Sequence, residues 1–303
     1  MIALLAPGQG SQTPGMLTPW LEDPAAAEKV AAWSEATGLD LARLGTTADA
    51  DEIKDTAVTQ PLVVANALLA AARIGLPATA VTAGHSVGEL AAAAIAGVIS
   101  PDDAVRLAAI RGREMAAACA LEPTGMAAVL GGEESVVLAR LAELGLDAAN
   151  RNGAGQIVAA GPVAAVAELE AGPPEGARRA AVLPVAGAFH TRFMAPAEDA
   201  VRAAAAELGP ADPTRPLLTN SDGSVVKSGS QALDLLVAQV TRPVRWDSCM
   251  ATLGELGVTA VIELPPAGTL VGLVRRDLKG VKTLALKTPD DLDKAAALLE
   301  EFA

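Results

Sequence analysis

The sequence predicts an α/β chain built on a parallel sheet, with a small ferredoxin-like subdomain inserted into it. Three observations carry that reading. The run Val81-Thr-Ala-Gly-His-Ser-Val-Gly-Glu-Leu90 passes from a short apolar segment through a tight Gly-x-Ser-x-Gly turn into an alanine-rich helix. Strand and helix patterns alternate around it, an order that makes the strands parallel. Between Gly125 and about Val185 the texture shortens into a β-α-β-β-α-β series, the ferredoxin-like order. Residues 1–124 and 186–303 are therefore expected to form the main body, and 125–185 the insert.

The opening Met-Ile-Ala-Leu-Leu-Ala is too short for a signal-peptide core and lacks a basic flank, so it reads as a first buried strand ending at Pro7-Gly8. In the loop that follows, Gly8 and Gly10 flank Gln9 and leave the strand end open to close backbone approach by a ligand. Ala25–Thr37 is an amphipathic helix, and Thr59-Gln-Pro-Leu-Val-Val-Ala-Asn66 starts the helix leading to the strand before the turn. Within the turn, Gly84 and Gly88 let strand and helix approach closely while Ser86 takes a strained conformation that pushes its hydroxyl outward. The amide of Val87, at the positive end of the next helix, points toward any oxyanion formed when Ser86 attacks a carbonyl. The geometry suits acyl transfer.

Ser100-Pro-Asp-Asp supplies a side-chain cap, a proline and first-turn acids for a helix running to about Ala118. On that helix Leu107, Ala108, Arg111 and Met115 fall on the face of Ala104, while Arg106 and Arg113 fall opposite. Arg111 is thus a cation in an apolar stripe, and it needs an anion from the protein or from a ligand. In the insert the pattern reads strand Met126–Leu130, helix Glu133–Leu144, strands in Leu146–Ala160 about an Asn152-Gly153 turn, helix Val163–Ala171 and strand Arg179–Val185. Pro184–Thr191 then returns to the body and carries His190, followed by a helix over Phe193–Leu208. The other histidine, His85, adjoins Ser86 on a sharp turn that aims the two side chains apart. If Ser86 has a histidine base, it is His190. A strand over Arg215–Asn220, helices over Ala232–Val240 and up to Leu256, a strand at Thr259–Leu264 and the loop Pro265-Pro-Ala-Gly268 complete the body.

A formal net charge of −13 over 303 residues argues against nucleic acid or an anionic membrane as partner, since both call for clustered Lys and Arg. Cys119 and Cys249 have no metal-ligand spacing, so reduced thiols in a cytoplasm and no metal are the expectations, and a chain of this size without an evident apolar patch is expected to be a monomer. No run is long and apolar enough for a membrane span.

Gly8-Gln-Gly-Ser-Gln12, Gly84-His-Ser-Val-Gly-Glu89, Arg111-Gly112, Ala188-Phe-His190, and Gln239 ahead of Pro243-Val-Arg-Trp246 occur in an order and spacing that resemble the malonyl-CoA:acyl carrier protein transacylases of fatty acid and polyketide synthesis. The resemblance covers essentially the whole chain. It implies an α/β-hydrolase-like core with the ferredoxin-like insert, malonyl-CoA as substrate without a cofactor, and acyl carrier protein as partner. Residue by residue it implies Ser86 as nucleophile, His190 as base, the amides of Gln9 and Val87 as oxyanion hole, and Arg111 as the partner of the malonyl carboxylate. It further implies that the backbone carbonyl of Gln239 orients the histidine, and that Phe189 beside the histidine, together with Val87 after the nucleophile, belongs to the malonyl-selective pattern. Two positions depart from the family: Ala6 stands where a phenylalanine is usual, and Leu264-Pro-Pro-Ala-Gly268 replaces Val-Gly-Pro-Gly. An alternative reaction class is a serine hydrolase or thioesterase on a similar core, against which the cation in the stripe and the lack of an obvious third acid both weigh. A carrier-binding module without turnover is a non-enzyme alternative, at odds with the presence of both Ser86 and His190. The densest basic stretch, Arg275-Arg-Asp-Leu-Lys-Gly-Val-Lys282, is the expected landing site for an acidic carrier, with Arg178-Arg179 as a second.

Overall fold

The computed structural model describes residues 1–302. The first half of the body runs β1 (Ile2–Ala6), α1 (Pro24–Thr37), α2 (Leu41–Thr46), α3 (Thr56–Ala71), β2 (Val81–Gly84), α4 (Gly88–Ile95) and α5 (Pro101–Cys119). A smaller unit follows as β3 (Thr124–Gly131), α6 (Glu134–Glu143), β4 (Asp147–Gly153), β5 (Gln156–Pro162), α7 (Val163–Ala171) and β6 (Ala177–Val182). The chain closes with α8 (Ala195–Ala206), α9 (Gly229–Ala238), β7 (Val244–Arg245), α10 (Trp246–Glu255), β8 (Ala260–Glu263), α11 (Thr269–Asp277), β9 (Lys282–Ala285) and α12 (Leu292–Phe302).

Four strands make a parallel sheet in the order β2-β1-β8-β9. Side chains alternate across a strand, so Ile2, Leu4 and Ile262 enter one core while Ala3, Leu5 and Val261 enter a second on the other face. Burial on both faces explains why these strands read as unbroken apolar runs. The register sets Ala6 opposite Gly84, so the loops after β1 and β2 leave the sheet side by side, and the His85 amide donates to the Ala6 carbonyl at 3.0 Å.

The second sheet is ordered β6-β3-β5-β4-β7, antiparallel except for its last pair. Ala127, Val129, Ile157 and Ala159 pack on α6 and α7, whereas Met126, Ala128, Val158 and Ala160 turn toward the main core. The chain is thus a mixed α/β fold with a parallel sheet.

Three local expectations change, and one pairing is new. The hairpin turns at Ala154-Gly155, both left-handed (φ 49° and 67°), and not at Asn152-Gly153. Asn152 stays in β4 because its side chain is engaged by His85 and Gln156, and Asp277 accepts the Ala154 amide at 2.9 Å, holding an alanine where glycine or asparagine is usual. The segment Arg215–Asn220 forms isolated bridges, Leu217 to Thr82 and Leu218 to Val225, in place of a strand, since Pro216 has no N–H to extend the ladder. The helix placed at Thr59 begins at Thr56, where Asp55 caps it by accepting the Ala57 amide. Finally, Val244–Arg245 lends β7 to the sheet of the smaller unit, pairing with Asn150 and Arg151.

Candidate active site

Residues 84–88 form a turn that only this glycine spacing permits. A Cβ on Gly84 would lie 2.0 Å from the Gly88 carbonyl carbon, and one on Gly88 would lie 2.3 Å from the Ala6 oxygen. Ser86, between them, has φ 54°, a left-handed conformation that costs a non-glycine residue about 1–3 kcal/mol and persists only when its surroundings impose it. Asn220 supplies that restraint. Its Oδ1 accepts the Ser86 amide at 2.8 Å and its Nδ2 donates to the Gly84 carbonyl at 2.8 Å.

His190 reaches the turn from the loop after the smaller unit, itself left-handed at φ 61° and 4 % exposed. Its Nε2 lies 2.7 Å from Ser86 Oγ, and its Nδ1 lies 2.9 Å from the Gln239 carbonyl oxygen. A carbonyl can only accept, so Nδ1 carries the proton and Nε2 is free to take one from the serine. Burial, and then the nearby Arg111 cation, push the imidazole down to about 3, so at neutral pH it is an unprotonated base. His85 turns away, its Nε2 2.9 Å from Asn152 Oδ1 and its ring edge-on to Trp246.

Arg111 comes from α5, on the buried stripe that the helical periodicity assigns to it, while Arg106 and Arg113 face solvent. Its Nη1 donates to Gln60 Oε1 at 2.7 Å, and its Nη2 donates to Gln239 Oε1 at 2.9 Å and to Ser86 Oγ at 3.4 Å. Among the described residues, no carboxylate lies within ion-pair distance of it. Burial lowers the guanidinium to about 10, so it remains a cation at neutral pH. It is held by neutral amide oxygens and points at the serine.

Gln9 sits in the loop after β1, its Nε2 donating to Thr56 Oγ1 at 3.1 Å. Among the described residues neither its amide nor that of Val87 has a protein acceptor, so both N–H groups are free to donate. Phe189, 7 % exposed, lines the same cavity of about 230 Å³ together with Gln9, Gln60, Ser86, Arg111 and His190. Gln9, Ser86, Arg111, Phe189 and His190 therefore converge on one cleft, with Gln239 behind it, whereas Val87 is buried next to Ser86 and does not line it.

Three residues of this cluster escaped the sequence reading: Gln60, Asn220 and Glu89. Glu89 is 5 % exposed, accepts from the Asn220 amide at 2.7 Å and from Gln239 Nε2, and is raised by burial to about 8. An acid in the first turn of a helix already has a local explanation, which hides the long-range one. Gln60 carried a weak signal, as a polar residue opening an apolar helix; Asn220 carried none. Among the described residues no cluster of His, Cys, Asp and Glu forms a metal site, and no helix is long and apolar enough to cross a membrane.

Comparison with known proteins adds to this geometry. The acyl transferase domain family matches residues 4–294. The malonyl CoA-acyl carrier protein transacylase of Mycobacterium tuberculosis is 62% identical over 303 residues, covering 98% of this chain and 100% of its own length. A crystal structure of MCAT from Mycobacterium tuberculosis superposes with a TM-score of 0.94 at 61% identity, over 98% of this chain and 99% of that one. A malonyl-transacylase in complex with its type II PKS acyl-carrier protein gives 0.90 at 30% identity, over 99% of each chain.

Proposed function

The chain belongs to the acyl transferase domain family, and from that premise we propose that it transfers malonyl from malonyl-CoA to the phosphopantetheine thiol of an acyl carrier protein through an ester on Ser86. The observation that carries the reading is Arg111, a buried cation that forms no ion pair among the described residues, 3.4 Å from the hydroxyl that His190 activates. A planar guanidinium suits the two-pronged binding of a carboxylate, and the acyl group supplies one.

In the first half-reaction Ser86 Oγ attacks the thioester carbonyl as His190 Nε2 takes its proton. The amides of Gln9 and Val87 receive the developing oxyanion. The tetrahedral intermediate expels the coenzyme A thiolate, which takes the proton from His190, and malonyl remains on Ser86. The second half-reaction repeats these steps with the carrier thiol as nucleophile and Ser86 as leaving group. Binding of the malonyl carboxylate offsets the Arg111 charge that depresses His190, so the base strengthens as the acyl group seats. The Gln239 carbonyl takes the place of a triad acid. Phe189 crowds an α-methyl substituent, so malonyl is preferred over methylmalonyl by roughly ten- to two-hundredfold, the worth of one methyl group in an apolar pocket.

We read residues 1–124 and 186–303 as an α/β-hydrolase-like catalytic subdomain and 125–185 as a ferredoxin-like insert; strand order β6-β3-β5-β4 supports the latter. The acidic carrier is taken to meet Arg275 and Arg276, both exposed on α11, whose first turn lines the cleft. The chemistry draws on side chains and amides alone, without metal or cofactor, in a cytoplasmic monomer. The test is intact mass after malonyl-CoA and again after carrier protein. Malonate is expected on Ser86 and then on the carrier, and Ser86→Ala is expected to lower transfer by roughly 10⁴- to 10⁶-fold. Release to water in place of the carrier would make the chain a hydrolase and overturn the reading.

A further inference from the structure

Gln239 joins four groups of the site, its side-chain nitrogen donating to Asn220 Oδ1 at 3.3 Å as well as to Glu89. Its backbone oxygen accepts from His190 Nδ1 at 2.9 Å, its side-chain oxygen accepts from Arg111 Nη2 at 2.9 Å, and its side-chain nitrogen donates to Glu89. A primary amide has one end that only accepts and one that only donates. Whichever end faces Glu89, the other faces the guanidinium. With the nitrogen toward the carboxyl group, both contacts are attractive; turned over, the amide would set its N–H groups against Arg111, and both side chains are buried from solvent. Glu89 also accepts from the Asn220 amide at 2.7 Å, and Asn220 Oδ1 in turn accepts the Ser86 amide at 2.8 Å. The Glu89 carboxyl group hydrogen-bonds neither Ser86 nor Arg111, and it is buried behind them, while the Glu89 backbone amide donates to the Ser86 carbonyl at 3.0 Å.

We propose that Glu89 is a positioning residue for acyl-group selection. By fixing the direction of the Gln239 amide, it holds the Arg111 fork in the attitude that receives a carboxylate beside Ser86. The clamp and the base are then set by one residue, because the same Gln239 orients His190 through its backbone. The proposal rests on the reading of Arg111 as the carboxylate's partner and adds the residue that aims it.

The experiment measures the rate of Ser86 acylation by malonyl-CoA and by acetyl-CoA, by quenched intact mass, in Glu89→Gln, Gln239→Ala, the double variant and Arg111→Ala, each checked by thermal melting. The rates are read at pH 9, above the value of about 8 to which burial raises Glu89, where both carboxylate oxygens accept, and Glu89→Gln keeps the shape but replaces one acceptor oxygen with a donor. It is expected to lower malonylation about tenfold more than acetylation, the scale of one hydrogen bond to a charged group. Gln239→Ala keeps the backbone carbonyl and is expected to shift the ratio in the same direction, with the double variant no worse than Gln239→Ala alone. Equal losses for both acyl groups would reduce Glu89 to a scaffold and overturn the proposal, as would effects of the two substitutions that multiply. If Glu89→Gln does not fold, Gln239→Ala decides alone, and an unchanged malonyl-to-acetyl ratio overturns the proposal. An Arg111→Ala variant that keeps the ratio would instead remove the premise about Arg111, and the proposal with it. Loss of the ratio in Arg111→Ala but not in Glu89→Gln leaves the premise standing and sinks the inference only.

Discussion

The two sheets solve the same packing problem and contribute unequally to the cleft. Each sends alternate residues into two different cores. In the parallel sheet β1 and β2 run the same way, so their loops emerge together and bring Gln9 and Ser86 to one spot. In the antiparallel sheet neighbouring strands end at opposite edges, and its strands give the cleft walls: Met126, Asn150, Asn152 and Val158. Chemistry concentrates where strand direction converges the loops, and the other sheet covers it.

That contrast can be broken experimentally. A methyl group added at the parallel edge should be ruinous, because in Gly84→Ala the new carbon meets backbone 2.0 Å away, which has no flexible end to yield. Overpacking of this kind costs about 3 kcal/mol or more, read as a fall in the urea midpoint. A midpoint equal to that of the parent would refute the account of the turn. Next in size, Arg111→Ala should cut malonyl transfer by roughly 10²- to 10³-fold, the scale for truncating one partner of a buried charged pair, while acetyl transfer changes far less. Parallel losses for both acyl groups would make Arg111 a structural cation only.

Much of the site was legible because its signals are local. The Gly84 and Gly88 spacing requires a close approach, helix periodicity turns Arg111 inward, and with only two histidines in the chain the choice of base was narrow. What escaped has no local signature. Asn220 and Glu89 lie 131 residues apart in sequence, and their contact exists only once Leu217 bridges β2. The hairpin was misplaced by two residues for a related reason, since Asn152 is held by His85, 67 positions earlier. β7 is only two residues long and leaves no strand pattern to read.

A smaller effect concerns pH. His190 is depressed from 6.5 to about 3 in the fold, so the neutral ring stabilises the protein fully above pH 6.5, and that contribution is lost as pH falls toward 3. The kcat/KM for acylation of Ser86 by malonyl-CoA, which reports the free enzyme, should stay nearly level from pH 7 to about pH 5, and a midpoint near 6.5 in that profile would show a solvated base. The smallest effect belongs to the antiparallel sheet. In Gly125→Ala the added carbon meets only Val163, at 4.0 Å, so the melting temperature should hold or rise by the equivalent of about 0.4–1 kcal/mol. A large loss there would erase the contrast between the sheets.

The two-residue strand Val244–Arg245 has a mechanical meaning. It is main-body chain stitched into the edge of the other sheet through Asn150 and Arg151, and Asp277 ties the adjoining hairpin to α11. A unit fastened at both its covalent ends and along its free edge cannot swing out as a rigid lid without tearing backbone hydrogen bonds. Amide hydrogens of β4 should therefore exchange with the slow class of the parallel sheet, as parts of one cooperative unit, and the roof over Ser86 opens only when the protein does.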